Sequence, residues 1–164
     1  MDWQIKPLAR ECAVSEQPFE IGDSVVCFLY RDDEGQLQRA DIAESKVDEF
    51  PRPEAVLGRW GREVKPRGEE EKEARAHALA TTEELFLSLF EENSAEVAED
   101  RELFKQVLGL MLERKRILRS QGRPVNGMQP YLHVRSKQEY QVQSKDPDPE
   151  SLIRIQEELN ALVF

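Results

Sequence analysis

The feature that most constrains the fold is a run of β-branched and aromatic residues, VVCFLY at 25–30. The charged sequence RDDEG follows it, and then QLQRADI, in which apolar and polar residues alternate. Alternation with a period of two is typical of a strand with one buried face. Gly35 supplies a residue that can adopt a positive φ in the turn without a Cβ clash. The sequence therefore predicts a β-hairpin, and we expect an extended segment around residues 3–8 to add a third strand, because an isolated hairpin is marginal in water.

The segment after the hairpin, residues 46–76, mixes Pro and Gly with charged residues and shows no sustained hydrophobic period. This composition is typical of a linker that crosses the surface. Trp60 lies within it, and its large ring favours docking into the core. Contact between Trp60 and a partner is the alternative.

Two helices are predicted next. The first begins with the capping-box spacing of Thr81 and Glu84. The second covers about 94–120 and has a broad apolar face, which implies burial. Gly109 costs this helix about 1 kcal/mol relative to Ala, and we expect the close approach of another backbone to compensate for it.

A second hairpin and a closing helix complete the predicted layout. Apolar and polar residues alternate near 130–143, and Asp148 followed by Pro149 predicts the start of a terminal helix. The predicted fold class is α+β: a small antiparallel β module at 1–45, the linker at 46–76, and a helical part at 77–164 that contains the hairpin and ends in the terminal helix.

Composition and charge exclude several function classes. The net charge is −10, with 33 acidic and 23 basic residues, which disfavours general binding to nucleic acid or to anionic membranes. No segment is long and apolar enough to predict a membrane span. Two cysteines are too few for a disulfide-stapled secreted scaffold of this size, so we expect free thiols and a cytoplasmic protein.

The stretch ECAVSEQPFEIGDSVVCFLY at 11–30 raises the question of a zinc knuckle. Residues 3–42, together with LERKRIL at 112–118, resemble an uncharacterised bacterial family with a zinc-ribbon-like N-terminal knuckle. Within that resemblance Cys12 takes the first knuckle position and Ser15 the second, and ADIAESK offers no Cys for a second knuckle. Because a structural zinc site needs four N or S ligands, the resemblance implies a ribbon that has lost its metal, and it implies no reaction.

Catalytic motifs are absent from the sequence. It contains no Gly-x-Ser-x-Gly, no Walker loop, no Gly-rich dinucleotide turn and no His-Glu-x-x-His. A nucleophilic pair of Cys12 and His133 is conceivable, but no neighbouring residue supports it. We therefore expect a noncatalytic protein without a cofactor or a metal, and a small hydrolase or transferase is the third choice.

The charge distribution is the most informative functional feature. Residues 114–137 contain seven basic residues and no acid, and we call this set the basic stripe: Arg114, Lys115, Arg116, Arg119, Arg123, Arg135 and Lys137.

Three interpretations of the basic stripe stay open. The acidic run from Glu69 to Glu102 could neutralise it within the fold or across a dimer. It could bind an acidic protein segment or a phosphate-bearing ligand. It could also make a weak RNA or DNA contact, with Tyr131 and His133 as the stacking side chains.

From these features we expect a protein-binding module that uses the basic stripe. The alternative is a nucleic-acid-associated accessory protein derived from a zinc ribbon. The sequence leaves the oligomeric state open.

Overall fold

The computed structural model describes residues 9–66, 68–69, 78–145 and 148–162. Within these ranges two three-stranded antiparallel sheets and three α-helices build the fold, which confirms the α+β class. In chain order the elements are β1 (Ser24–Arg31), β2 (Leu37–Ala43), β3 (Val56–Glu63), α1 (Ala78–Leu89), α2 (Ala98–Arg114), β4 (Leu118–Ser120), β5 (Met128–His133), β6 (Glu139–Gln143) and α3 (Pro149–Leu162). Short 3-10 helices occupy Glu44–Glu49 and Ala95–Val97.

The first sheet has the strand order β2-β1-β3. Its β1–β2 hairpin is the one that the sequence predicts, with Arg31 opposite Leu37 and Gly35 at φ +78° in the turn. The predicted third strand at residues 3–8 lies outside the described residues. The observed third strand is β3, which pairs antiparallel with β1.

The linker prediction for 46–76 is wrong at 56–63, where the chain forms β3. Burial of apolar side chains stabilises the strand more than the nearby Pro and Gly residues disfavour it. Leu57 is fully buried, and Trp60 is buried opposite Cys27 in the core. The guanidinium of Arg39 lies over the Trp60 ring at 5.0 Å, so this tryptophan is docked, as expected.

The helix α1 packs on β3 at Gly58. An ideal Cβ on Gly58 would lie 2.7 Å from Leu85 Cδ1 and 2.7 Å from Ser88 Oγ. Two N–H groups on the outer edge of β3 donate to side chains of α1: the Arg59 N–H donates to Ser88 Oγ (2.8 Å), and the Gly61 N–H donates to Glu84 Oε2 (2.9 Å). Only glycine at position 58 permits this close contact of helix and strand.

Three predictions about the helices are wrong. Thr81 lies inside α1, which includes Ala78, so it does not cap the helix. The helix predicted for 94–120 is α2 and ends at Arg114, and residues 118–120 form β4. Gly109 of α2 faces the ring of Phe86, whose Cε2 would lie 3.6 Å from an added Cβ, rather than another backbone.

The second sheet has the strand order β4-β5-β6 and contains the predicted hairpin. On β5 the buried residues include Tyr131 and His133, whereas Val134 after the strand is exposed. The terminal helix α3 begins at Pro149, as predicted, and the N–H of Leu152 donates to the carbonyl of Asp148.

One hydrophobic cluster contains buried residues of both sheets and all three helices, for example Leu29, Leu57, Leu108, Leu118 and Ile155. The part predicted as a β module and the part predicted as helical therefore share a core. Ion pairs reinforce the contact: Arg31 of β1 binds Asp100 of α2 (2.6 Å) and Glu158 of α3. In the described ranges, no helix combines the length and the apolar character needed to cross a membrane.

Two glycine substitutions should have opposite effects on stability. Gly58→Ala should lower the free energy of unfolding by about 1–3 kcal/mol, because its Cβ would overlap Leu85 and Ser88. Gly109→Ala should raise it by about 0.5–1 kcal/mol, because the helix gains propensity and Phe86 is at ordinary contact distance. Denaturant titration measures the free energy of unfolding of both variants. Equal changes in that free energy for the two variants would contradict the proposed packing of α1 on β3.

Candidate functional site

All seven residues of the basic stripe are exposed. Arg114 is the last residue of α2, Lys115 and Arg116 connect α2 to β4, and Arg119 lies in β4. Arg123 lies between β4 and β5, and the remaining two, Arg135 and Lys137, lie in the turn between β5 and β6.

The fold brings most of the basic stripe to one end of the second sheet. The N–H of Val134 donates to the carbonyl of Ile117 (3.1 Å), which places the β5–β6 turn beside the connection between α2 and β4. Five of the seven residues are therefore gathered at this end: Arg114, Lys115, Arg116, Arg135 and Lys137. Arg119 lies along β4, and Arg123 lies beyond Ser120 at the opposite end of the sheet.

No ion pair, ring contact or side-chain hydrogen bond joins the basic stripe to any other residue of the described part of the chain. Most described cations outside the basic stripe form ion pairs. Arg31, Arg39 and Arg59 bind carboxylates, and Lys105 binds Glu102 (2.9 Å) while lying 4.3 Å from the centre of the Phe90 ring. The described residues of the acidic run therefore do not neutralise the basic stripe.

Arg116 occupies a backbone position that favours glycine. The N–H of Ile117 donates to the carbonyl of Leu112 (2.9 Å), and the N–H of Arg116 donates to the carbonyl of Glu113 (3.0 Å). These two bonds form a Schellman motif that ends α2, with Arg116 at φ +62° in the left-handed region. An L-residue with a side chain costs about 1 kcal/mol in that conformation.

His133 anchors the turn that carries Arg135 and Lys137. Its ring is buried and lies between two polar partners: Nε2 is 2.7 Å from Glu83 Oε1 of α1, and Nδ1 is 2.6 Å from Ser136 Oγ. The N–H of Ser136 also donates to Nδ1 (3.3 Å), so Nδ1 is the acceptor and Nε2–H donates to Glu83. The bond to Glu83 therefore holds the turn against α1.

Sequence reasoning missed the pairing of His133 with Glu83. The two residues are 50 positions apart, and no local pattern connects them. The signal that the sequence offers is the position of His133 in the alternating pattern of a predicted strand. That position is compatible with a side chain that faces inward.

The hydroxyl of Ser136, the imidazole of His133 and the carboxylate of Glu83 form a hydrogen-bonded series of the kind that activates a nucleophile. Here the series stabilises the turn. Ser136 Oγ accepts the N–H of Gln138 (3.2 Å), and the N–H of Lys137 donates to the carbonyl of His133 (2.8 Å). The conceivable pair of Cys12 and His133 is not formed, since both ring nitrogens of His133 have other partners.

The two cysteines are free, buried and on opposite faces of the first sheet. Cys12 packs with Phe28, whereas Cys27 belongs to the cluster on the other side of β1. They cannot contact a common ion in this fold. Among the residues that the structure describes, no group of three or more His, Cys, Asp or Glu is placed to hold a metal.

The two thiols differ in acidity. Burial, and then the negative charge of Asp41, raises the pKa of Cys27 to about 12. Burial is also the largest single influence on Cys12, but the hydrogen bonds from Ser15 and from the N–H groups around it outweigh burial and lower its pKa. Ser15 thus acts on Cys12 as a hydrogen-bond partner.

The expected stacking side chains are not available to bases. Tyr131 is 7% exposed and His133 is 4% exposed. The Tyr131 hydroxyl donates to Glu113 Oε2 (3.4 Å), and burial together with this carboxylate raises the pKa of Tyr131.

Comparison of the chain with models of protein families, with curated proteins and with solved structures finds no match. The resemblance to a bacterial zinc-ribbon-like family therefore stays a prediction.

Replacing Arg116 should stabilise the protein. Arg116→Gly should raise the free energy of unfolding by about 0.5–1 kcal/mol, because glycine accepts the left-handed backbone. As a control, Arg114→Gly in the helix should lower it by about 0.5–1 kcal/mol. Denaturant titration measures both, and destabilisation by Arg116→Gly would contradict the strained cap.

Removing the partner of His133 should destabilise the hairpin. Glu83→Ala leaves the buried Nε2–H unpaired and should lower the free energy of unfolding by about 1–3 kcal/mol. Glu83→Gln keeps an acceptor and should cost less. Equal losses for the two variants, measured by denaturant titration, would show that the hydrogen bond is not what matters.

Proposed function

We propose that this protein is a noncatalytic protein-binding module of the cytoplasm, and that its basic stripe receives an acidic segment of a partner protein. One observation carries the proposal. The seven cations are exposed and have no partner in the described part of the chain, although the protein has a net charge of −10 and most of its described cations elsewhere form ion pairs.

The strain at Arg116 supports the same conclusion. A glycine at this cap position would avoid the cost of the left-handed backbone. Strained backbone positions are concentrated at functional sites, and Lys137, also in the basic stripe, has φ +65°. Both positions carry an exposed charge where glycine would cost less, which agrees with a role for the charge in binding.

A protein partner is favoured over nucleic acid by two features. Tyr131 and His133 are buried, so neither of the stacking side chains expected beside the basic stripe is available to single-stranded nucleic acid. The net charge of −10 opposes a phosphate backbone, which carries a charge at every nucleotide, more than it opposes a short acidic segment. The free thiols of Cys12 and Cys27 are compatible with a reducing compartment.

The test compares two charge reversals of equal size. Arg119→Glu changes the basic stripe, and Lys145→Glu changes an exposed lysine outside it. A partner is first captured by mild crosslinking and affinity purification from the native cell, and its Kd is then measured for each variant. We expect Arg119→Glu to weaken binding at least about tenfold, and Lys145→Glu to change it less than about threefold.

If the two charge reversals weaken partner binding equally, the partner does not bind through the basic stripe. Recovery of nucleic acid in place of protein, with an affinity that falls steeply with salt, would instead support the accessory-protein alternative.

A further inference from the structure

Ser136 is an exposed residue whose hydroxyl is bonded to a buried imidazole. Its Oγ lies 2.6 Å from His133 Nδ1. Because Nδ1 is an acceptor, as described above, the hydroxyl of Ser136 donates to it. A base in this position can take the hydroxyl proton when the serine oxygen attacks an electrophile.

Glu83 completes the arrangement from α1. Its Oε1 accepts the Nε2–H of His133 at 2.7 Å, and its side chain is largely buried. A carboxylate in this place fixes the tautomer that leaves Nδ1 unprotonated, and it stabilises the positive charge that the ring acquires when it takes a proton. A nucleophile, a base and an orienting carboxylate are thus joined by two short hydrogen bonds.

The surroundings of His133 direct an electrophile to the serine. The ring of Tyr140 on β6 lies against the imidazole, with a distance of 6.4 Å between the ring centroids and an angle of 86° between the ring planes. Of Ser136, His133 and Glu83, only Ser136 is exposed. An electrophile that arrives from solvent therefore meets Ser136 before the imidazole.

Two features of the turn stabilise negative charge at Ser136. The N–H of Gln138 donates to Ser136 Oγ (3.2 Å), which favours charge that develops on this oxygen as its proton leaves. The chain neighbours Arg135 and Lys137 are exposed and cationic. Attack on an ester produces a negatively charged tetrahedral intermediate, and cations beside it lower its free energy.

We infer that Ser136 is a covalent modification site that takes an acyl group from an activated ester. Ser136 Oγ forms a bond to the carbonyl carbon, and the bond from that carbon to the leaving oxygen breaks. The hydroxyl proton moves to His133 Nδ1 and from there to the leaving group. The acyl group stays on Ser136, so each molecule reacts once and the protein remains noncatalytic. This modification is independent of the proposed partner.

The test uses the full chain and p-nitrophenyl acetate, whose leaving group is followed by its absorbance. Cleavage after Glu gives a peptide of residues 114–139 that contains both Ser120 and Ser136, and fragmentation of this peptide locates the acetyl group. Ser120 is exposed on β4 and has no hydrogen bond to a histidine among the described residues, so it is the internal control. We expect Ser136 to be acetylated at least about 100-fold faster than Ser120.

Two variants test the base and its carboxylate. His133→Gln removes the base and should lower the rate of Ser136 acetylation at least about 100-fold. Glu83→Gln keeps an acceptor but removes the charge, so it should lower the rate at least about tenfold. It should also move the midpoint of the pH–rate profile to lower pH, because the imidazolium loses its carboxylate. A merely structural Glu83 would leave this midpoint unchanged, and denaturant titration checks that both variants are folded.

Hydroxylamine removes an acetyl group from a serine ester and spares the amide of an acetylated lysine. The hydroxylamine-sensitive label should disappear in Ser136→Ala and persist in Ser120→Ala. Acetylation of Ser136 no faster than that of Ser120 would overturn the inference. Acetylation confined to Lys137, or a rate at Ser136 that both His133→Gln and Glu83→Gln leave unchanged, would overturn it as well. None of these measurements uses the partner, so their outcome is separate from that of the proposed function.

Discussion

The contact between Gly58 and α1 is the constraint on which the rest of the structure depends. It lets α1 lie directly on β3, where Ser88 and Glu84 accept the N–H groups of the strand. From the same helix, Glu83 reaches His133 of the second sheet. A single helix thus joins the two sheets, and the close approach permitted by one glycine positions the turn that bears part of the basic stripe.

The elements that could be predicted from the sequence are those with local causes. The first hairpin follows from alternation and from Gly35, and the start of α3 follows from Pro149. The strand β3 was missed because its cause is remote: burial of Trp60 and contact with α1 outweigh the Pro and Gly signals around it. The end of α2 was missed because Arg116, not glycine, occupies the cap position that terminates the helix.

The candidate site could be predicted in composition but not in arrangement. A sequence without acids between 114 and 137 predicts a positive surface. Only the pairing of β4 with β5 shows that the residues near Arg116 and those near Arg135 share one end of a sheet, and that Arg123 does not. The exposure of these cations gives a protein of acidic composition a basic surface along the second sheet.

The most direct measurement is the free energy of unfolding of a variant in which all seven residues of the basic stripe are replaced by Gln. Exposed side chains without partners contribute little to stability, and removing like charges relieves their mutual repulsion. We predict a free energy of unfolding within about 1 kcal/mol of the wild-type value. A loss of about 3 kcal/mol or more would mean that the stripe stabilises the fold and is not free for a partner.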